Sequence, residues 1–187
     1  GRIADPIGKE GLAGMTAALL TKGAGARPAE EVALAIEQVG GTIGASAGSD
    51  FLTVSAGLLS KDVGIAFDLI GDAVIRPKFD SAEIALLRTQ TLSGLEVERS
   101  QPAALASRQL DLMLYGKHPY ARRQTPASIA TIRRADLVAF QRTRLRPRGA
   151  LLVVAGAISL ADARRHATRA FRGWTGSAAP PPAAAPP

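Results

Sequence analysis

The sequence predicts an α+β domain in which an antiparallel or mixed sheet carries helices packed on one face. Three patterns support this. Apolar residues recur at spacings of three and four through several long segments. Two short runs, Thr42 to Ala47 and Phe51 to Leu59, read as strands about a turn at Gly48-Ser49-Asp50. Leu151-Leu152-Val153-Val154 is a continuous apolar run typical of a central strand.

The elements follow in order. Asp5-Pro6-Ile7-Gly8 reads as a turn. A helix is expected from Lys9 to Lys22, with Leu12, Met15 and Leu19 on its buried face and Gly23 and Gly25 ending it. Pro28 starts a second helix, which runs through Val39 and turns Val32, Ile36 and Val39 inward. In the strand that follows, Leu52, Val54, Ala56 and Leu58 alternate with Phe51, Thr53, Ser55 and Gly57, so one face is the more apolar. A helix from Lys61 to Ile75 presents Val63, Ala66, Phe67, Ile70 and Val74 to the core, and Arg76-Pro77 ends it. Asp80 or Ser81 can cap a long helix running toward Arg99, with Glu83 in its first turn. Pro102 begins another helix, through Leu114. Pro119 and Pro126 mark a loop. Short helices are expected over Pro126–Ile132 and Ala135–Leu145, a strand within Gly149–Gly156, and a last helix from Leu160 to Phe171. Residues 1–176 form one domain in this reading. Residues 177–187, nearly all Ala and Pro, read as an extended linker or tail.

The bulk composition limits what the chain can do. A length of 187 residues suits one compact domain with a real core. No apolar run is long enough to span a bilayer. The opening Gly1-Arg2-Ile3-Ala4-Asp5 does not read as a signal peptide, and the compartment stays open. Cysteine is absent, so disulfides and thiolate metal sites are excluded. The formal charge is +7, carried mostly by arginine, which favours anionic partners in a general way. Aromatic residues are only 4%, too few for a stacking platform, and nucleic acid is not an expected partner. Solvated arginine-rich helix faces account for the charge more simply.

Four stretches, taken in order, resemble the insulinase, or pitrilysin, family of zinc peptidases, which includes mitochondrial processing peptidase. The first is Asp5-Pro6-Ile7-Gly8-Lys9-Glu10-Gly11-Leu12-Ala13, followed by Leu19-Leu20-Thr21-Lys22-Gly23. The second is Gly40-Gly41-Thr42-Ile43-Gly44-Ala45, leading to Asp50. The third is Tyr115-Gly116-Lys117-His118-Pro119-Tyr120. The fourth is Asp136-Leu137-Val138-Ala139-Phe140, then Arg146-Pro147-Arg148-Gly149-Ala150 and Leu152-Val153-Val154-Ala155-Gly156. Each is weak alone; the set in this order is specific. It implies a processing-peptidase-like domain.

In active members Gly-Leu-Ala runs directly into His-x-x-Glu-His. Positions three and four apart share a helix face, so two imidazoles can hold one zinc while the glutamate takes a proton from the bound water. The resemblance places Gly14, Ala17 and Ala18 at these positions, and none has a side-chain lone pair. No catalytic residue is therefore expected from them. A third ligand would fall at Gly94 or Leu95, close to Glu96 and Glu98. A non-standard metal site built from Glu96, Glu98 and His118 is a competing reading, although a lone histidine in a His-Pro-Tyr loop is more often structural. His166, in Arg164-Arg165-His166, is expected on an exposed helix face. A third reading is a basic binding module using Arg133, Arg134, Arg142, Arg144, Arg146 and Arg148.

The resemblance also implies a role. Heterodimeric members pair one zinc-bearing subunit with one that has lost its metal. The expectation is a non-catalytic subunit or half, with no cofactor of its own and zinc only in a related catalytic partner. It would close the chamber and assist a peptide substrate. In the active half an extended peptide pairs with the strand after the Gly-Gly pair. The corresponding candidates are Gly44, Ala45 and Ser46, with His118 and Tyr120 nearby in the motif pattern. The family often has Asn where Gly44 stands, which favours scaffold over specific capture. Family domains begin with further strands before the Asp-Pro turn, so the resemblance implies an incomplete chain whose unpaired sheet edge invites self-association that reflects truncation rather than biology. Abundant Ala and Arg suggest a bacterial source.

Overall fold

A computed structural model describes residues 1–177 and Pro180. The element order is α1 (Leu12–Leu20), α2 (Ala29–Glu37), β1 (Thr42–Ala47), β2 (Leu52–Gly57), α3 (Val63–Ile75), α4 (Ser81–Arg99), α5 (Pro102–Tyr115), α6 (Pro126–Thr131), α7 (Arg134–Arg144) and α8 (Leu160–Ala170). Among the described residues the sheet has two strands. They pair antiparallel, with Ala45 opposite Val54 and Ala47 opposite Leu52. The chain is thus mostly helical, with helices covering one face of a small antiparallel sheet. Ala45, Ala47, Leu52 and Val54 turn toward the helices, while Thr53, Ser55 and Gly57 lie exposed. That alternation follows from the period of two along a strand.

The main core gathers around α1. Leu12, Met15, Leu19 and Leu20 pack with Ala73, Val74, Phe79, Ile84, Leu95, Ile129, Ile132, Leu137 and Phe140. The helix is apolar on nearly every side, as expected for one enclosed by sheet and helices. A smaller cluster joins Val32 and Ile36 of α2 to Leu69 of α3. Leu69 is 2% exposed, although the sequence pattern had not marked it as core. Asp80 caps α4 by accepting the Ala82 N–H at 2.8 Å.

Helix α1 begins at Gly11, which has φ +102° and no side chain to cap the helix. Its cap comes from Asp5, whose Oδ2 accepts the Gly11 N–H at 2.9 Å and whose Oδ1 accepts the Ala13 N–H at 2.8 Å. Gly11 has no substitute: a Cβ there would come within 2.7 Å of Ile129 Cδ1, in a left-handed backbone conformation. The Asp-Pro turn is tied down in turn. Arg122 donates to the carbonyls of Asp5 (3.0 Å) and Ile3 (3.3 Å). Ser128 donates to Glu10 O and Thr131 to Gly8 O. Lys9 pairs with Asp136.

Two expectations are corrected. Leu151–Val154 is not a central strand. It pairs with no described strand, and its residues are exposed. The run has the chemistry of a strand but lacks a neighbour to complete its hydrogen bonds. His166 does not stand on an open face: it is half-buried and stacks on Phe67, with ring centroids 5.4 Å apart. Of the expected tail, 178, 179 and 181–187 lie outside the described residues; Arg148 and Ser177 form an isolated parallel bridge.

Replacing Asp5 tests the cap. Asp5→Ala leaves two N–H groups at the helix start without a partner and should cost roughly 2 kcal/mol or more. Asp5→Asn keeps one acceptor and should cost less. Burial raises the Asp5 carboxyl above its ordinary pKa; the N–H groups of Gly11 and Ala13 and the charges of the N-terminus and Arg122 offset this only in part. The stability that Asp5 contributes through its titration is therefore fully present below the unfolded pKa, where the carboxyl is protonated, and is lost as pH rises through the higher folded pKa. Chemical denaturation at acid and neutral pH should show the native chain losing stability relative to Asp5→Asn as pH rises through that window.

Candidate functional site

The candidate site lies along α1, between β1 and the loop after α5. Gly14 and Ala18, one turn apart, are both half-buried. A Cβ at Gly14 would meet nothing within 4 Å. Ala17 differs, being 1% exposed. None of the three carries a donor atom. Zinc does not fit these residues, because neither a hydrogen nor a methyl group can coordinate it. Gly94 is exposed on α4, whereas Leu95 is buried in the main core and so points into the hydrocarbon interior.

Gly14 opens onto a polar cavity of about 260 Å³, together with Asp5, Glu10, Glu98, Arg108, Arg122 and Arg123. The arginines here are partly committed. Arg122 holds backbone carbonyls, and Arg123 pairs with Asp111. The Asp5 carboxylate is spent on the α1 cap. The cavity therefore mixes charges of both signs and presents no single-sign field.

Glu96, Glu98 and His118 are not brought together. Among the described residues no three His, Asp or Glu side chains form a metal-sized group. Glu96 faces solvent and reaches Arg99 at 3.5 Å. His118 has a structural contact: its Nδ1 accepts the Tyr120 N–H at 3.2 Å, capping the short turn Pro119–Ala121. Its ring meets Tyr120 edge-on at 4.5 Å, and Tyr120 meets Tyr115 edge-on at 5.5 Å. Tyr120 Oη donates to Asp50 Oδ1 at 2.8 Å, which binds this loop to the β1–β2 hairpin and raises the phenol pKa. Asp50 and Arg122 were not singled out as site residues. The reach from Tyr120 to Asp50 spans 70 positions, and no local pattern signals it.

Gly44, Ala45 and Ser46 lie in β1. The edge of β1 away from β2 pairs with no described strand, so its backbone groups are free to take one. Ala45 turns to the core, and Ser46 is exposed on the opposite face. Three of the six arginines of the basic-module reading, Arg134, Arg144 and Arg146, bond to backbone carbonyls. Arg134 donates to Phe79 O and Lys78 O, Arg144 to Pro180 O, and Arg146 to Thr175 O.

Residues 1–125 match the sequence pattern of Insulinase (Peptidase family M16). The chain belongs to the insulinase family of peptidases. Over 162 residues it is 28% identical to an uncharacterised zinc protease of Mycobacterium leprae, covering 83% of this chain and 36% of that protein. An uncharacterised zinc protease of Mycobacterium bovis is 26% identical over 140 residues, 74% of this chain and 32% of that protein. The peptidase M16 inactive domain from Pseudomonas fluorescens superposes with a TM-score of 0.84 at 28% identity, over 96% of this chain and 45% of that one. Pitrilysin shares the fold, with a TM-score of 0.83 at 17% identity over 21% of its length. The chain thus spans about a third of the curated relatives and under half of the P. fluorescens structure. No helix among the described residues is long and apolar enough to cross a membrane.

The exposures of the three α1 positions separate them. Gly14→Ala fills open space and removes helix-interior glycine, so it should stabilise the chain by roughly 0.5 kcal/mol or more. Ala17→Glu forces a carboxylate into a closed position and should cost at least about 2 kcal/mol. Thermal melts of the two single variants should move in opposite directions.

Proposed function

We propose that this chain is a non-catalytic subunit or half of an insulinase-family zinc peptidase, working beside a related partner that carries the metal. The observation that carries the reading is chemical. The helix that holds His-x-x-Glu-His in active members offers Gly14, Ala17 and Ala18, which supply neither ligand nor base. The likeness to the P. fluorescens inactive domain, at 28% identity over 96% of this chain, supports it. So does the length of the relatives, which leaves room for a second half.

In this role the chain contributes surface and shape. Its free β1 edge at Gly44, Ala45 and Ser46 can pair with an extended peptide through backbone hydrogen bonds alone. Gly44 adds no side-chain contact, so any such pairing would be tolerant of sequence. His118 and Tyr120 hold the adjoining loop against the hairpin, which points to a positioning role for them. Zinc is then a cofactor of the partner only. A metallopeptidase centred on His118 has no support from the geometry, because the imidazole nitrogen that faces the loop is taken by Tyr120 N–H.

Reconstitution tests the proposal. The chain alone should leave peptides uncut. Mixing it with a related subunit that keeps His-x-x-Glu-His, such as one encoded beside it, should yield cleavage above that of the partner alone, and a chelator should abolish it. Chelator-sensitive cleavage by the chain alone would contradict the proposal.

A further inference from the structure

The cavity beside Gly14 has more hydrogen-bond donors on its walls than acceptors to receive them. Its arginines come from separate parts of the chain: Arg2 from the start, Arg108 from α5, and Arg122 and Arg123 from the loop that follows. Each guanidinium carries several N–H groups and no acceptor. Arg122 donates to two carbonyls, and Arg2 reaches Ser49 Oγ at 3.3 Å. Arg123 pairs with Asp111 through a terminal nitrogen, while its Nε is buried and donates to nothing. The Arg108 side chain has no hydrogen bond or ion pair among the described residues. Acceptors are scarcer. Asp5 has both oxygens committed to α1, and Glu10 Oε1 takes the Gly8 N–H at 3.1 Å. Among the described residues, Glu98 is the lining carboxylate that is left unpaired.

Counting Asp111, four carboxylates meet four guanidinium groups around this cavity, so its excess lies in donors rather than in charge. A buried N–H without an acceptor is costly, and a carboxylate offers the planar pair of acceptors that a guanidinium matches. We propose that the cavity binds one carboxylate group of a peptide, held by the Arg108 guanidinium with Arg123 as a second donor. A volume of about 260 Å³ takes a side chain or a chain end, not a folded partner. Glu10 and Glu98 repel a second negative charge, so a carboxylate is preferred to a polyanion. Gly14 keeps the space open: a Cβ there meets nothing within 4 Å, and a longer side chain would occupy it. Ala47 of β1 lines the same cavity, which places it beside the strand assigned to peptide pairing. The choice of a peptide as carrier rests on the reading of the chain as a non-catalytic, peptide-binding half; the choice of a carboxylate rests on the donors alone. An acidic side chain and a free C-terminus share that chemistry.

NMR titration of the isotope-labelled full chain tests the site. Three acetylated peptides, otherwise uncharged and identical, separate the sources: one has a central Glu and an amidated end, one a central Gln and a free C-terminus, and one a central Gln and an amidated end. At least one carboxylate-bearing peptide should bind about tenfold more tightly than the third, and which one does so distinguishes side chain from chain end. The Nε–H resonances of Arg108 and Arg123 should shift with it. Arg108→Gln removes the free donor, and Gly14→Leu fills the space without changing charge; each should erase the preference. Arg108 is exposed and Gly14 borders open space, so both variants should keep the native circular dichroism spectrum. Arg172→Gln, an equal loss of charge at a residue that does not line the cavity, should leave the preference intact. Equal binding of the three peptides, no binding at all, or a preference that survives Arg108→Gln or Gly14→Leu would overturn the site. The titration uses neither a partner nor cleavage, so its failure leaves the non-catalytic reading standing. Chelator-sensitive cleavage by the chain alone would sink that reading and leave the measured preference untouched.

Discussion

The buried carboxylate of Asp5 is the constraint on which the rest of the domain depends. Helix α1 starts on a left-handed glycine that can cap nothing, so its first N–H groups need an acceptor from elsewhere. Asp5 supplies two, from six and eight residues upstream. Its own backbone is clamped by Arg122, from the loop after α5. Lys9, inside the same turn, pairs with Asp136 at the start of α7; burial opposes charge on that carboxyl, but Lys9 and the Arg133 N–H hold its pKa below the ordinary range. Three distant stretches thus meet at one helix end, and α1 is set among the core helices with little freedom to tilt. Tyr120 extends the frame to Asp50 at the hairpin.

This convergence gives a physical meaning to sequence fragments that are weak one at a time. The Asp-Pro turn, the His-Pro-Tyr loop and the Asp136 stretch occur together because they touch. Here the same frame presents Gly14 and Ala18 beside a cavity of mixed charge. The scaffold of the family persists, and Gly14, Ala17 and Ala18 on this helix carry no side-chain donor atom.

Most of the architecture was legible in the sequence because it rests on local rules. The spacing of Leu12, Met15 and Leu19, the alternation from Leu52 to Ala56, the cap at Asp80 and the proline at position 102 each act within a few residues, and the elements fall where those signals put them. What the sequence did not reveal depends on long-range partners. Leu151–Val154 has the composition of an inner strand, yet strand pairing belongs to two segments and its neighbour is missing among the described residues. His166 sits between arginines and looks solvated; its stacking on Phe67 depends on how α8 crosses α3. The α1 positions were legible as chemistry, since glycine and alanine lack donors in any fold. That Ala17 is closed off while Gly14 opens on a cavity was not, because both lie on the same short helix.

The central claim concerns coordination at α1, and anomalous diffraction at the zinc edge from crystals of the chain grown with excess zinc addresses it most directly. The account predicts no ordered zinc within bonding distance of residues 14–18. A strong peak seated against that helix, with a complete tetrahedral shell drawn from this chain, would contradict it.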